Sequence, residues 1–158
     1  MPGKVVFTLD LNGRETEVFA PADATLLDVL RDNCALRAAK RGCNQGVCGA
    51  CTVMIDDVPV RACLTMAGAC GGRAITTLEG YAGDPVMGHL QEAMNASGGV
   101  QCGFCTSGLL MTARNLLAET PRPAPAEIRS ALSGNLCRCT GYVRIVEAIA
   151  AAAEEVAR

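Results

Sequence analysis

No tryptophan occurs among the 158 residues, and the aromatics are confined to three Phe and two Tyr. Any core must therefore be built from Ala, Val, Leu and Ile. Histidine occurs once, as His89, with no neighbouring Asp or Ser motif, so it reads as a surface or interface residue rather than a catalytic one. Charge of either sign is in short supply: 14 basic against 16 acidic residues give a formal net charge of −2. The cations are scattered singly or in pairs, which excludes the basic stripe of a nucleic-acid or anionic-membrane binder. Long apolar runs are lacking too. The longest uncharged stretch, Ala93–Ala113, contains Asn95, Ser97, Gly98, Gly99 and Gln101, and is too polar to cross a bilayer unaided. Met1–Gly13 (MPGKVVFTLDLNG) shows no apolar signal core and no small-residue cleavage site. Half of the residues are apolar, which excludes a disordered chain.

Cysteine is what the chain has in excess, with ten residues. In a secreted chain such density means disulfides. Without a leader the expectation is a reducing, cytoplasmic setting, where dense cysteines mean metal.

The hydrophobic pattern predicts an α+β fold in two parts. In the first, Lys4–Asp10 and Glu15–Ala20 alternate around Asn12-Gly13, a strong tight-turn pair. Asp23 can cap a helix carrying Leu26, Val29 and Leu30. Gly42–Ala50 (GCNQGVCGA) reads as a loop, Thr52–Ile55 and Val58–Leu64 as a second hairpin around Asp56-Asp57, and Ala74–Leu78 as a last strand. Gly80–Asp84 reads as a linker. Beyond it, Val86, Leu90, Ala93 and Met94 share one helical face, and Leu109, Ala113, Leu116 and Leu117 another. Pro121, Pro123 and Pro125 end the second helix, a short helix follows from about Ala126 to Leu132, and Gly134–Gly141 forms a loop. Val143, Val146, Ile149, Ala150, Ala153 and Val156 form the stripe of a final helix. The expected domains are residues 1–79, β-rich, and 84–158, all-helical, each small enough to need a staple beyond its own core.

Eight cysteines form two quartets, one in each half. Cys43, Cys48, Cys51 and Cys63 follow C-x4-C-x2-C with a fourth after eleven residues, the plant-type [2Fe–2S] spacing. A loop would present three thiolates and a strand the fourth. Gly42, Gly46 and Gly49 let backbone N–H groups approach the sulfurs. Four thiolates also suit zinc, although structural zinc sites usually pair their ligands as two short knuckles. The second quartet, Cys102-x2-Cys105 and Cys137-x-Cys139, lies across a 31-residue gap. Its spacing leaves iron–sulfur and zinc both open, and Cys102-Gly-Phe-Cys105 alone is similar to a dithiol redox motif.

Three segments together carry a resemblance. Arg41–Val53 (RGCNQGVCGACTV), Gln101–Gly108 (QCGFCTSG) and Gly134–Tyr142 (GNLCRCTGY) resemble the small iron–sulfur subunit of the molybdenum hydroxylases, the xanthine dehydrogenase, aldehyde oxidoreductase and carbon monoxide dehydrogenase family. The match spans nearly the whole chain, in the family's order, with none of the eight ligand positions departing from the pattern. It implies a β-grasp ferredoxin-like domain followed by a four-helix domain, each with one [2Fe–2S] cluster. It also implies partner subunits in a heterotrimer or dimer of heterotrimers: a large one with the molybdopterin cofactor and a medium one with FAD. Electrons would run from molybdenum through the Cys102/Cys105/Cys137/Cys139 cluster, then the Cys43/Cys48/Cys51/Cys63 cluster, to flavin or another acceptor. The chain would have no substrate site of its own. By the same resemblance Gln101 hydrogen-bonds the pterin and Cys139 approaches it. A Gln here can alternatively cap the helix after Thr106. Cys34 and Cys70, outside the quartets, read as small apolar core residues. Two other functions compete with the relay: a zinc-stapled scaffold, and a free two-cluster ferredoxin, which would need a strongly acidic docking face.

Overall fold

The computed structural model describes residues 3–157; Met1, Pro2 and Arg158, which fall in the expected domain ranges, lie outside the described residues. Strands β1 (Lys4–Leu11) and β2 (Arg14–Pro21) form an antiparallel hairpin. Asn12 and Gly13 between them both take positive φ, 53° and 74°, as a two-residue hairpin turn of matching twist demands. A second hairpin joins β3 (Thr52–Ile55) to β4 (Val58–Arg61) through Asp56 and Asp57, at φ 49° and 61°. β5 (Ala74–Thr76) runs parallel to β1 and antiparallel to β3, giving the mixed order β2-β1-β5-β3-β4. Strands β4 and β5 stop at Arg61 and Thr76, short of the predicted Leu64 and Leu78, because Leu64 lies in a turn after β4 and Leu78 opens a 3-10 turn, Leu78–Tyr81.

The first helix, α1 (Leu26–Asp28), continues as a π-turn over Val29–Asn33. Its cap is Thr25 rather than the predicted Asp23. The Thr25 hydroxyl donates to Asp28 Oδ2 at 2.6 Å and accepts from the Asp28 N–H at 3.2 Å, a reciprocal pair that Asp23, exposed in the turn after β2, does not form. Leu26, Leu27, Val29 and Leu30 pack with Leu9, Val18, Val53, Ile55 and Ile75 into the first core.

Four helices follow: α2 (Pro85–Ala96), α3 (Thr106–Glu119), α4 (Pro125–Ala131) and α5 (Val143–Val156). Asp84 caps α2, accepting from the Met87 N–H at 2.7 Å, and its other oxygen meets Arg114 of α3 at 3.0 Å. The faces rotate slightly from expectation. Met87 joins the α2 core face, fully buried beside a half-buried Val86, and in α5 Ile145, Ala148 and Ala152 are buried while Val143 is 64 % exposed. α5 packs against both α2 and α4, so its buried arc is wider than one stripe.

The two parts share a wall. All four residues of β3 are buried: Val53 and Ile55 enter the first core, whereas Met54 enters the second, with Met87, Leu109 and Met111. Helix α3 lies across β3 and β4 and covers that part of the sheet, while Val6 of β1 and Phe19 of β2 remain exposed.

Candidate metal centres

The first quartet is built on the β3–β4 hairpin. The Ala62 N–H donates to the Cys51 carbonyl at 3.3 Å, extending the ladder one step and setting Cys63 beside Cys51. Both thiols are buried. The loop before β3 carries the other two. Backbone N–H groups of Gln45 and Cys48 each point at Cys43 Sγ from 3.4 Å. These N–H groups, Cys48 first, together with the Cys48 thiol, hold the Cys43 thiol down to about 6, despite a small opposing effect of burial. Burial pushes Cys51 up to about 11, and its side-chain partner is Cys63. A Cβ on Gly42 would stand 2.9 Å from Cys48 Sγ, so the backbone there closes directly on a sulfur.

The second quartet repeats this division. Cys105, at the cap position just before α3, has Cys137 as its side-chain partner, and burial raises its thiol to about 12. Burial also works upward on Cys137, but hydrogen bonds outweigh it and leave that thiol below its ordinary value; the Thr140 hydroxyl, 3.1 Å away, is the first of them. The outer pair, Cys102 and Cys139, is exposed, with the sulfurs 3.6 Å apart. Contact with Cys102 raises Cys139. Tyr142 ties the loop together: its hydroxyl accepts from the Cys137 N–H at 2.7 Å and donates to the Asn135 carbonyl at 2.9 Å.

Each quartet is thus two sulfur pairs, one inside and one outside. Two thiolates on one tetrahedral metal, bonded at about 2.3 Å, stand about 3.8 Å apart. The 3.6 Å separation of Cys102 and Cys139 fits that spacing. A pair-and-pair layout, with N–H groups aimed at sulfur, suits a binuclear cluster with two thiolates on each iron.

Gln101 is exposed beside Cys102, and α3 starts from Cys105 without any side-chain cap, so the capping alternative for Gln101 is not realised. Cys70 is fully buried and donates to the Met66 carbonyl at 3.4 Å; Cys34 is half-buried against the same core, and burial raises both thiols.

A buried polar junction between the quartets escaped the sequence. The Leu136 N–H donates to the Cys48 carbonyl at 2.8 Å, joining the two cysteine loops directly. Beside it Asn135, 1 % exposed, accepts from the Thr112 hydroxyl at 2.9 Å and donates to the Gly49 carbonyl at 3.2 Å and Thr52 Oγ1 at 3.4 Å. Arg61 crosses the other way, from β4 to Thr52 Oγ1 and the Gly134 carbonyl, both at 2.7 Å. The only local signal was a polar Asn inside the GNLCRCTGY segment.

Two family models match consecutive stretches: the 2Fe-2S iron-sulfur cluster binding domain over residues 9–72 and the [2Fe-2S] binding domain over 77–150. The nicotine 6-hydroxylase small subunit of Paenarthrobacter nicotinovorans is 48 % identical over 146 residues, covering 92 % of this chain and 88 % of that one. The nicotinate dehydrogenase small FeS subunit of Eubacterium barkeri is 44 % identical, with 98 % of each chain covered. Among solved structures, a chain of quinoline 2-oxidoreductase from Pseudomonas putida 86 superposes with a TM-score of 0.90 at 42 % identity, covering 98 % of this chain and 97 % of that one. Aldehyde oxidoreductase from Desulfovibrio gigas superposes at 0.87 with 39 % identity over 97 % of this chain, which corresponds to 17 % of the longer enzyme. Two matched 2Fe-2S domains in one short chain, and whole-length relatives that are oxidoreductase subunits, place it: the chain belongs to the family of small [2Fe–2S] iron–sulfur subunits of the molybdenum hydroxylases.

Proposed function

We propose that this chain is the electron relay of a cytoplasmic, heteromeric molybdenum hydroxylase, carrying two [2Fe–2S] clusters. Cys43, Cys48, Cys51 and Cys63 hold one cluster, and Cys102, Cys105, Cys137 and Cys139 the other. Bound there, each cluster supplies a one-electron store. Residues 1–79 and 84–158 are the two cluster-bearing domains. The exposed end, with Cys102, Cys139 and Gln101, faces a large subunit that carries the molybdopterin cofactor. The Gln101 amide offers both a donor and an acceptor to the mixed edge of a pterin. The first quartet delivers electrons towards FAD on a medium subunit or another acceptor. The complete particle is a heterotrimer or a dimer of heterotrimers.

The observation that carries this reading is the direct linkage of two paired-thiol loops through the Leu136–Cys48 hydrogen bond. The rim supports permanent partners: Val47, Leu64, Phe104 and Leu136, on or beside the cysteine loops, are 47–62 % exposed apolar residues. Such a rim does not suit a free ferredoxin that docks through an acidic face.

Metal and sulfide analysis of the anaerobically purified native complex tests the proposal. About four iron and four acid-labile sulfide per chain are expected, with negligible zinc. Two distinguishable EPR signals should appear on reduction, since one cluster lies in a sheet-domain loop and the other at helix ends. Stoichiometric zinc, or only two irons, would overturn it.

A further inference from the structure

We propose that Asn135 is a positioning residue that fixes the spacing of the two cysteine loops, and with it the electronic contact between the clusters, by clamping Gly49 and Thr52 of one domain to Thr112 of the other. The proposal rests on the two-cluster reading above. Three features carry it. First, Asn135 is a fully buried amide whose side chain reaches both domains: Thr112 of α3 on its oxygen, the Gly49 carbonyl and Thr52 hydroxyl on its nitrogen. Second, the hydroxyl of Thr52 is saturated. It donates to the Gly49 carbonyl at 2.6 Å and accepts from Arg61 and Asn135, so the junction leaves none of its hydrogen-bonding capacity to water. Third, the backbones close around the amide too tightly for side chains. A Cβ on Gly49 would stand 2.6 Å from Asn135 Nδ2 and would also meet the Gly134 carbonyl, and one on Gly108 would meet the Gly49 carbonyl.

The neighbouring residues give the clamp its consequence. Gly49 follows Cys48, and Leu136, which follows Asn135, donates to the Cys48 carbonyl and precedes Cys137. Holding Asn135 against Gly49 therefore holds the shortest polar bridge between ligands of the two quartets. Without the amide, the Leu136–Cys48 hydrogen bond keeps only the Arg61–Gly134 contact beside it and opens more readily.

The test compares wild-type holoprotein with Asn135→Leu, which keeps the branching and heavy-atom count of the side chain and removes the polar contacts. Iron and sulfide content should stay at wild-type values. Hydrogen exchange at the Leu136 amide should rise about tenfold or more while the amides of α2 and α5 stay protected. The magnetic interaction between the two reduced clusters, read from their EPR line shapes, should be lost or broadened. A merely structural role would instead raise exchange throughout the helical domain and leave the interaction unchanged. That result, or wild-type exchange at Leu136, would overturn the proposal. Should Asn135→Leu fail to load iron, Thr112→Val removes only one partner of the amide. It must show the same selective rise at Leu136 in smaller degree, and no rise there overturns the clamp. Absence of iron from the wild-type chain would defeat the relay reading, while exchange at Leu136 would still decide the clamp.

Discussion

Two glycines in the first turns of two helices, Gly88 in α2 and Gly108 in α3, set helix propensity against packing. Propensity alone says that replacing either by alanine stabilises the chain, by about 0.5–1 kcal/mol, because glycine loses more backbone freedom on folding. The surroundings differ. A Cβ on Gly88 meets nothing within 4 Å. A Cβ on Gly108 meets the backbone carbonyl of Gly49 and stands 3.1 Å from Asn135 Nδ2. A backbone carbonyl in the first cysteine loop cannot swing aside as a side chain can, so the overpacking cost of roughly 1–3 kcal/mol applies in full. Packing wins at Gly108 and propensity at Gly88. Gly88→Ala should raise the apparent Tm of the holoprotein by about 2 °C. Gly108→Ala should lower it by several degrees, at about 2–4 °C per kcal/mol for a chain of this size. Thermal unfolding followed by circular dichroism, with the iron–sulfur absorbance recorded in parallel, gives both values. In Gly108→Ala the absorbance should bleach early, since the residue pushed aside follows Cys48. If both variants shift upward together, the close approach of α3 to the Gly49 loop is wrong, and with it the rigid junction.

Cys43→Ser should raise hydrogen exchange chiefly in β1–β5 and Cys137→Ser chiefly in α2–α5, because metal binding and folding are coupled in small domains; equal protection of both halves in either variant would remove the two-domain division. Gln101→Ala should leave both clusters assembled and their reduction by dithionite normal, while slowing reduction of the second-quartet cluster by substrate in the native complex. Equal substrate-driven rates in stopped flow would refute the pterin contact, which is expected to leave a buried partner unsatisfied at about 1–3 kcal/mol when lost.

What the sequence made legible is what depends on near neighbours in the chain. Asn12-Gly13 and Asp56-Asp57 specify hairpins because the turn conformation is a local requirement of two residues, and both appear where expected, at positive φ. The cysteine spacing likewise encodes the loop that presents three thiolates, whereas the fourth, Cys63, stands in the turn after β4 rather than on a strand. Misses occur where tertiary packing chooses between locally equal options. Asp23 and Thr25 are both able caps, but only Thr25 has Asp28 three residues on to complete a reciprocal pair. Val143 and Ile145 are equally apolar, and the position of α5 between α2 and α4 buries Ile145 and leaves Val143 in the open. The clamp was out of reach for the same reason, since the Asn135–Gly49 contact spans 86 positions.

β3 shows why the junction matters to the relay. An alternating strand with one free face would let the ferredoxin-like part move as a body against the helices. Here Met54 is 2 % exposed among Met87, Leu109 and Met111, and burying such a side chain contributes about 1.5–3 kcal/mol to keeping the two parts together. That apolar contact resists separation but tolerates sliding, because dispersion and area are nearly indifferent to register. Hydrogen bonds are not: the Leu136 N–H reaches one carbonyl, that of Cys48, and the Asn135 amide fits one pair of acceptors. The chain therefore divides the task. Met54 and α3 hold the domains in contact, while Asn135, Arg61 and Thr52 select the register in which the two cysteine loops touch.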